Sequence, residues 1–155
     1  MKMESKKTEQ IELSKVLDII FVAASVLFFI FISGIFLATK FGYVELRWVL
    51  GILTMCLIIP YIVVLIGYVK EKPEKPVIVS LGFILFFLLL ELIWDYILRI
   101  PFRDILALHI VYIIFLYVAS FNMIGVSFRI NKKMGWIVTI TFWISLGCLI
   151  YLYLF

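Results

Sequence analysis

The chain has 155 residues, of which 66% are apolar and 15% charged, and its formal net charge is +4. A soluble domain runs near half apolar and a quarter charged; this one would leave an apolar surface patch far beyond what water tolerates. Composition therefore excludes a soluble globule, length leaves room for a single domain, and lipid is the natural solvent.

The positive charge does not point to nucleic acid. The basic residues sit in short runs between apolar segments, not as a patch interleaved with aromatics. Such runs suit orientation signals and contact with anionic head groups, so the expected partner is the lipid bilayer. Cys56 and Cys148 both lie inside apolar runs without a C-x-x-C pair, and read as small apolar packing residues.

In chain order, residues 1–15 form a polar leader, with Lys2, Lys6, Lys7 and Lys15 against Glu4, Glu9 and Glu12. It is expected to be a short cytoplasmic extension of the first helix. The apolar run that follows starts too late and continues too long for a removable signal peptide. It is the first of five spans, at 16–39, 48–69, 77–98, 105–128 and 135–155. Each has the roughly 20 residues that cross a hydrocarbon core of about 30 Å. Barrel strands would alternate in polarity over about ten residues, and these runs do not. The expected fold class is all-α: a polytopic integral membrane protein in which residues 16–155 form one bundle of five transmembrane helices.

Between spans the breaks are short, six to eight residues, so consecutive helices should be antiparallel neighbours. Pro73 and Pro76 interrupt the charged stretch 70–76, Pro101 breaks the chain between spans three and four, and Asp104 is placed to N-cap span four. Within span two, Pro60 cannot donate to the carbonyl of Cys56 and should kink the helix.

Orientation follows from Lys and Arg alone. One side collects Lys2, Lys6, Lys7, Lys15, Lys70, Lys72, Lys75, Arg129, Lys132 and Lys133, and the other Lys40, Arg47, Arg99 and Arg103. Ten against four predicts a cytoplasmic N-terminus and an outside C-terminus. Tyr43, Trp48, Trp94, Tyr96, Tyr151 and Tyr153 then form an outer aromatic belt, with Tyr68 and Trp136 at the inner ends. Trp143 lies about two turns inside span five and is expected to pack within the bundle.

Span three holds the strongest chemical signal. Glu91, Asp95 and Arg99 recur every four residues and should share one helix face. With Arg99 at the outer interface, Asp95 lies roughly 6 Å beneath it and Glu91 roughly 12 Å. An acid near a helix centre costs about 2.5–3.5 kcal/mol, which the apolar neighbours of the span offset. An ionisable group at that depth is a functional-site candidate by default. The blander alternatives are an interfacial Asp95–Arg99 ion pair and a Glu91 hydrogen-bonded to a neighbouring helix as structural glue.

His109, the only histidine, sits about one turn into span four on the same outer side. Imidazole beside a carboxylate suits proton transfer, but one His and two carboxylates without fixed spacing do not make a metal site, so no metal is expected. Glu45, Arg47, Arg103 and Asp104 gather in or beside the outer loops, as the rim of a pocket mouth or as solvated ion pairs. Asn122 in span four is expected to hydrogen-bond between helices near Gly125, and Gly34/Ala38 and Thr141/Ser145 have the small-xxx-small spacing of helix contacts.

The sequence has no phosphate-cradling glycine loop, no H-E-x-x-H, no G-x-S-x-G and no selectivity-filter-like T-V-G-Y-G. No cofactor is expected. Three readings of function remain. The first is a small binding or permeation module, in which Glu91, Asp95, Arg99 and His109 line a cavity for a cation or a lipid-like ligand. The second is an accessory subunit packing against other membrane subunits. The third is an intramembrane enzyme using Glu91, Asp95 and His109 as acid and base; it ranks last because acid–base residues this sparse occur in many non-enzymes.

Overall fold

An apolar surrounding offers no water to backbone N–H and C=O groups, so an apolar chain closes its hydrogen bonds within each segment, as helices. The computed structural model describes residues 2–71, 74–100 and 105–154, with side chains from residue 12 onward, and every element among them is helical. These are α1 (Lys2–Lys40), α2 (Val44–Cys56), α3 (Ile58–Glu71), α4 (Lys75–Glu91), α5 (Leu106–Ile130) and α6 (Lys132–Leu154), with α4 continuing into a π-helical segment, Leu92–Ile97. By length and composition five stretches can cross a membrane: Glu12–Lys40, Val44–Glu71, Lys75–Ile97, Leu106–Ile130 and Lys132–Leu154. The fold class is all-α, a five-span bundle.

The helices outrun the apolar runs, so two connections are shorter than the sequence suggests. Residues 41–43 join α1 to α2, and Asn131 alone joins α5 to α6. Hydropathy marks where water begins, whereas Glu, Lys and Arg beyond that point are good helix formers whose stems reach back along apolar surface. Each stop has its own device. Gly42, at φ 74, closes α1: its N–H donates to the Thr39 carbonyl (3.3 Å) and the Tyr43 N–H to that of Ala38 (2.8 Å). That pair of bonds is a Schellman cap, which needs the left-handed conformation Gly adopts freely. Asn131 is extended, and its Oδ1 accepts the Lys133 N–H at 2.8 Å, capping α6.

Pro60 breaks span two as its chemistry requires. The Cys56 carbonyl loses its usual donor, the Leu57 N–H turns back to Thr54 (3.1 Å), and α3 restarts at Ile58. A second irregularity follows Glu91. The Leu98 N–H reaches five residues back to Ile93 (2.8 Å) and the Ile100 N–H reaches Trp94 (2.9 Å), before Arg99 adopts a left-handed φ of 50. Such π-turns are rare and concentrate at functional sites.

Helix α1 packs against α2, α3 and α6 and also touches α5, while α3 meets α4, α4 meets α5, and α5 meets α6. The helices thus follow one another around a closed ring, with the last beside the first. Lys40 seals that seam: its Nζ lies 3.5 Å from the Leu152 carbonyl and 5.7 Å from the Tyr151 ring centroid. The core contains a cluster of aromatic rings. Phe28 meets Phe29 (5.4 Å between centroids) and Phe87 (6.2 Å), and Phe29 meets Phe142 (5.6 Å), all in the edge-to-face geometry that ring quadrupoles favour. Gly34 faces Leu50 and Ala38 is buried, so that small-residue pair does lie on a helix contact.

The outer surface is as apolar as the core, with Ile19, Ile30, Ile59, Ile66 and Ile140 all exposed. A bundle apolar all round suits lipid on its outside. Trp143 belongs to that outside: it is 62% exposed, where the sequence suggested packing within the bundle. Its neighbour Phe142 takes the inward position, and adjacent helix residues cannot share one face.

Candidate functional site

Glu91 ends the regular part of α4 and is 5% exposed. Across the α4–α5 contact, the Tyr112 hydroxyl donates to Glu91 Oε1 at 3.1 Å, and Tyr112 itself is 8% exposed. Its ring also rests 5.5 Å from that of Phe87, one helical turn before Glu91. The acid is thus turned into the protein rather than toward its outer surface, and a phenol holds one of its oxygens. A carboxyl in a low-dielectric interior is tolerable only with hydrogen-bond partners, and the same setting lets it grip a cation more strongly than water would.

Asp95 lies in the π-helical segment and is half-buried. Arg99 does not join the two acids on one helix face as the spacing suggested. The helix ends at Ile97, and Arg99 is exposed beyond it in the left-handed conformation. The expected three-residue ladder is therefore two acids long. On α5, His109 sits one turn before Tyr112 and is half-buried; its Nδ1 is buried with no hydrogen-bond partner among the described residues. Tyr112, not His109, reaches Glu91. Within the π-segment, Tyr96 packs edge-on against Trp48 of α2 at 5.6 Å, tying the start of span two to the end of span three.

Of the expected rim, Glu45 and Arg47 are exposed in the first turn of α2, and Arg103 and Asp104 lie outside the described residues, as does Pro101. Among the described residues Asn122 makes no interhelical bond. Its Nδ2 donates to the Val118 carbonyl in its own helix at 2.7 Å, because a carbonyl one turn back satisfies the amide without a partner helix. Among the described residues no three His, Cys, Asp or Glu side chains come close enough to share a metal ion.

The other pole of the bundle holds a polar site that the sequence reading passed over. The Tyr68 hydroxyl donates to Asp18 Oδ1 at 2.6 Å, joining the early part of the apolar run of α1 to the end of α3. Nearby, Arg129 at the end of α5 pairs loosely with Glu74, the residue that caps α4, at 3.9 Å. All four line one cleft. Asp18 was the available signal: it lies inside the first apolar run, three residues after Lys15. Tyr68 and Tyr112, the phenols that make both acid contacts, carry no mark in the sequence that separates them from belt tyrosines.

Comparison with known protein families, curated proteins and solved structures finds no match to this chain.

Proposed function

We propose that the chain is a multi-pass membrane protein with a cytoplasmic N-terminus and an outside C-terminus, acting as a small binding module. Its site is the buried Glu91 carboxyl, and its ligand a cation or an amine- or hydroxyl-bearing lipid-like molecule. The observation that carries this reading is Glu91 itself, buried between α4 and α5 with the Tyr112 hydroxyl on one oxygen, where α-helix gives way to π. An inward-facing acid within a membrane helix is rare and marks ligand or ion sites. Asp95 continues the acidic character toward the outer end, so a positive group entering there meets two carboxylates in sequence. The ten-to-four imbalance of basic residues supports the orientation.

A ligand that binds only the folded state stabilises it by RT ln(1 + [L]/Kd), about 1.4 kcal/mol at ten times Kd. Thermal unfolding in neutral detergent, with sodium, potassium, dodecylamine or monoacylglycerol titrated in, measures this directly. At least one of these probes should raise the midpoint of the wild type. Glu91→Gln, which keeps shape and hydrogen bonding but removes the charge, should insert and purify normally and show no rise. Equal stabilisation of wild type and Glu91→Gln, or no stabilisation of the wild type by any probe, contradicts the reading.

A further inference from the structure

The cleft at the opposite pole is built to take a charged group of a different kind. Four helices contribute to it: α1 through Asp18, α3 through Tyr68, the cap of α4 through Glu74, and α5 through Arg129, with valine and isoleucine side chains of α4 and α5 completing the wall. We propose that this cleft binds the phosphoethanolamine head group of an aminophospholipid. The ammonium lies between Asp18 and Glu74, and the phosphate lies on Arg129.

Depth comes first. Asp18 and Tyr68 lie inside the apolar runs, whereas Glu74 and Arg129 lie where those runs give out. A carboxylate therefore stands at the bottom and an exposed ion pair at the rim, at the level of lipid head groups. Tyr68 is 2% exposed, and its short hydrogen bond fixes the Asp18 carboxylate in one orientation. The rim pair is loose: Arg129 and Glu74 are 55% and 60% exposed at 3.9 Å, a geometry that holds little energy in water. A zwitterion can exchange it, offering its phosphate to the guanidinium and its ammonium to the carboxylate so released. Lys70, Lys132 and Lys133, exposed at the same pole, add attraction for the phosphate.

Chemistry then chooses among head groups. Two carboxylates accept N–H bonds that a primary ammonium can donate and a quaternary one cannot. Recognition of quaternary ammonium uses a cage of aromatic faces, and among the described residues of the wall Tyr68 is the only ring. A purely anionic head group would meet the two carboxylates unfavourably.

The test is native mass spectrometry of the full chain in neutral detergent, with phosphatidylethanolamine, phosphatidylcholine and phosphatidylglycerol of identical acyl chains supplied at equal concentration. Phosphatidylethanolamine should bind about tenfold more tightly than either competitor, a difference of about 1.4 kcal/mol. Asp18→Asn should reduce it to the level of phosphatidylcholine. Glu74→Gln changes an exposed residue and leaves the core intact, so it decides the matter if Asp18→Asn does not fold; it should cut the preference several-fold. Equal binding of the three lipids, a preference for phosphatidylglycerol, or a phosphatidylethanolamine preference that survives in Glu74→Gln and in any folded Asp18→Asn overturns the proposal. Soluble glycerophosphoethanolamine should compete only weakly; if it binds as tightly as the lipid, the ligand is a soluble amine phosphate and the lipid assignment fails. These residues are remote from Glu91, so the outcome is independent of the site at the other pole.

Discussion

Replacing Phe28 by Ala should destabilise the protein by about 2 kcal/mol, while the same change at Phe83 should be nearly silent. Phe28 is fully buried and touches rings on its own helix and on α4, whereas Phe83 is 44% exposed on the outer surface. In water a buried Phe→Ala costs about 3–5 kcal/mol, from lost transfer energy plus the cavity left behind. In lipid the transfer part largely vanishes, because acyl chains are as apolar as the core, and packing is what remains. The expected cost is accordingly below the aqueous range. Unfolding by increasing fractions of sodium dodecyl sulfate in mixed micelles measures both variants. Equal losses at the two positions would mean that the aromatic core does not hold the bundle together. Phe28 also leans on Phe87, which leans on Tyr112, so its loss should loosen the hydroxyl that holds Glu91.

Gly135→Leu should be the most damaging single change at the tight α5–α6 corner. Only Asn131 separates the two helices, and a Cβ built on Gly135 would run into the ring of Phe128, which itself packs edge-on against Trp136 at 5.8 Å. Overpacking of this kind costs typically about 1–3 kcal/mol. The ring is partly exposed, so it can swing aside for a methyl but not for a leucine, and the upper part of that range is expected. Removing the obstacle should rescue the fold: Gly135→Leu combined with Phe128→Ala should recover most of the loss, a non-additivity that a double-mutant cycle in the same unfolding assay reads directly. Simple additivity would show that the close approach is not what the glycine is for.

These expectations show what the sequence carries and what it does not. The five spans were legible because transfer of charge into hydrocarbon is so costly that Lys70, Lys75, Lys132 and Lys133 can only stand at boundaries. Pro60 was legible because a missing N–H has a fixed consequence one turn back. The helix ends were not, since residues such as Glu12 and Lys40 leave the hydrocarbon without leaving the helix. The π-segment after Glu91 has no side-chain signature; a change in backbone hydrogen-bond register is a compromise between two packed ends. For that reason Arg99 fell away from the acids it was expected to join. The tyrosines that meet Asp18 and Glu91 depend on how each helix is rotated about its axis. With apolar residues on every face, no hydrophobic stripe fixes that rotation, and the Asn122 amide differs from expectation for another reason, its bond to the Val118 carbonyl of its own helix.

Beneath both sites lies one proposal: that charge excluded from lipid sorts this chain into five crossings, with its basic loops in the cytoplasm. Fusing a reporter that is active on only one side of the membrane directly after Phe155 tests it. The account predicts a signal from outside the cytoplasm, as an odd number of crossings from a cytoplasmic N-terminus requires. A cytoplasmic signal would contradict it, because either the number of crossings or their direction would then be wrong.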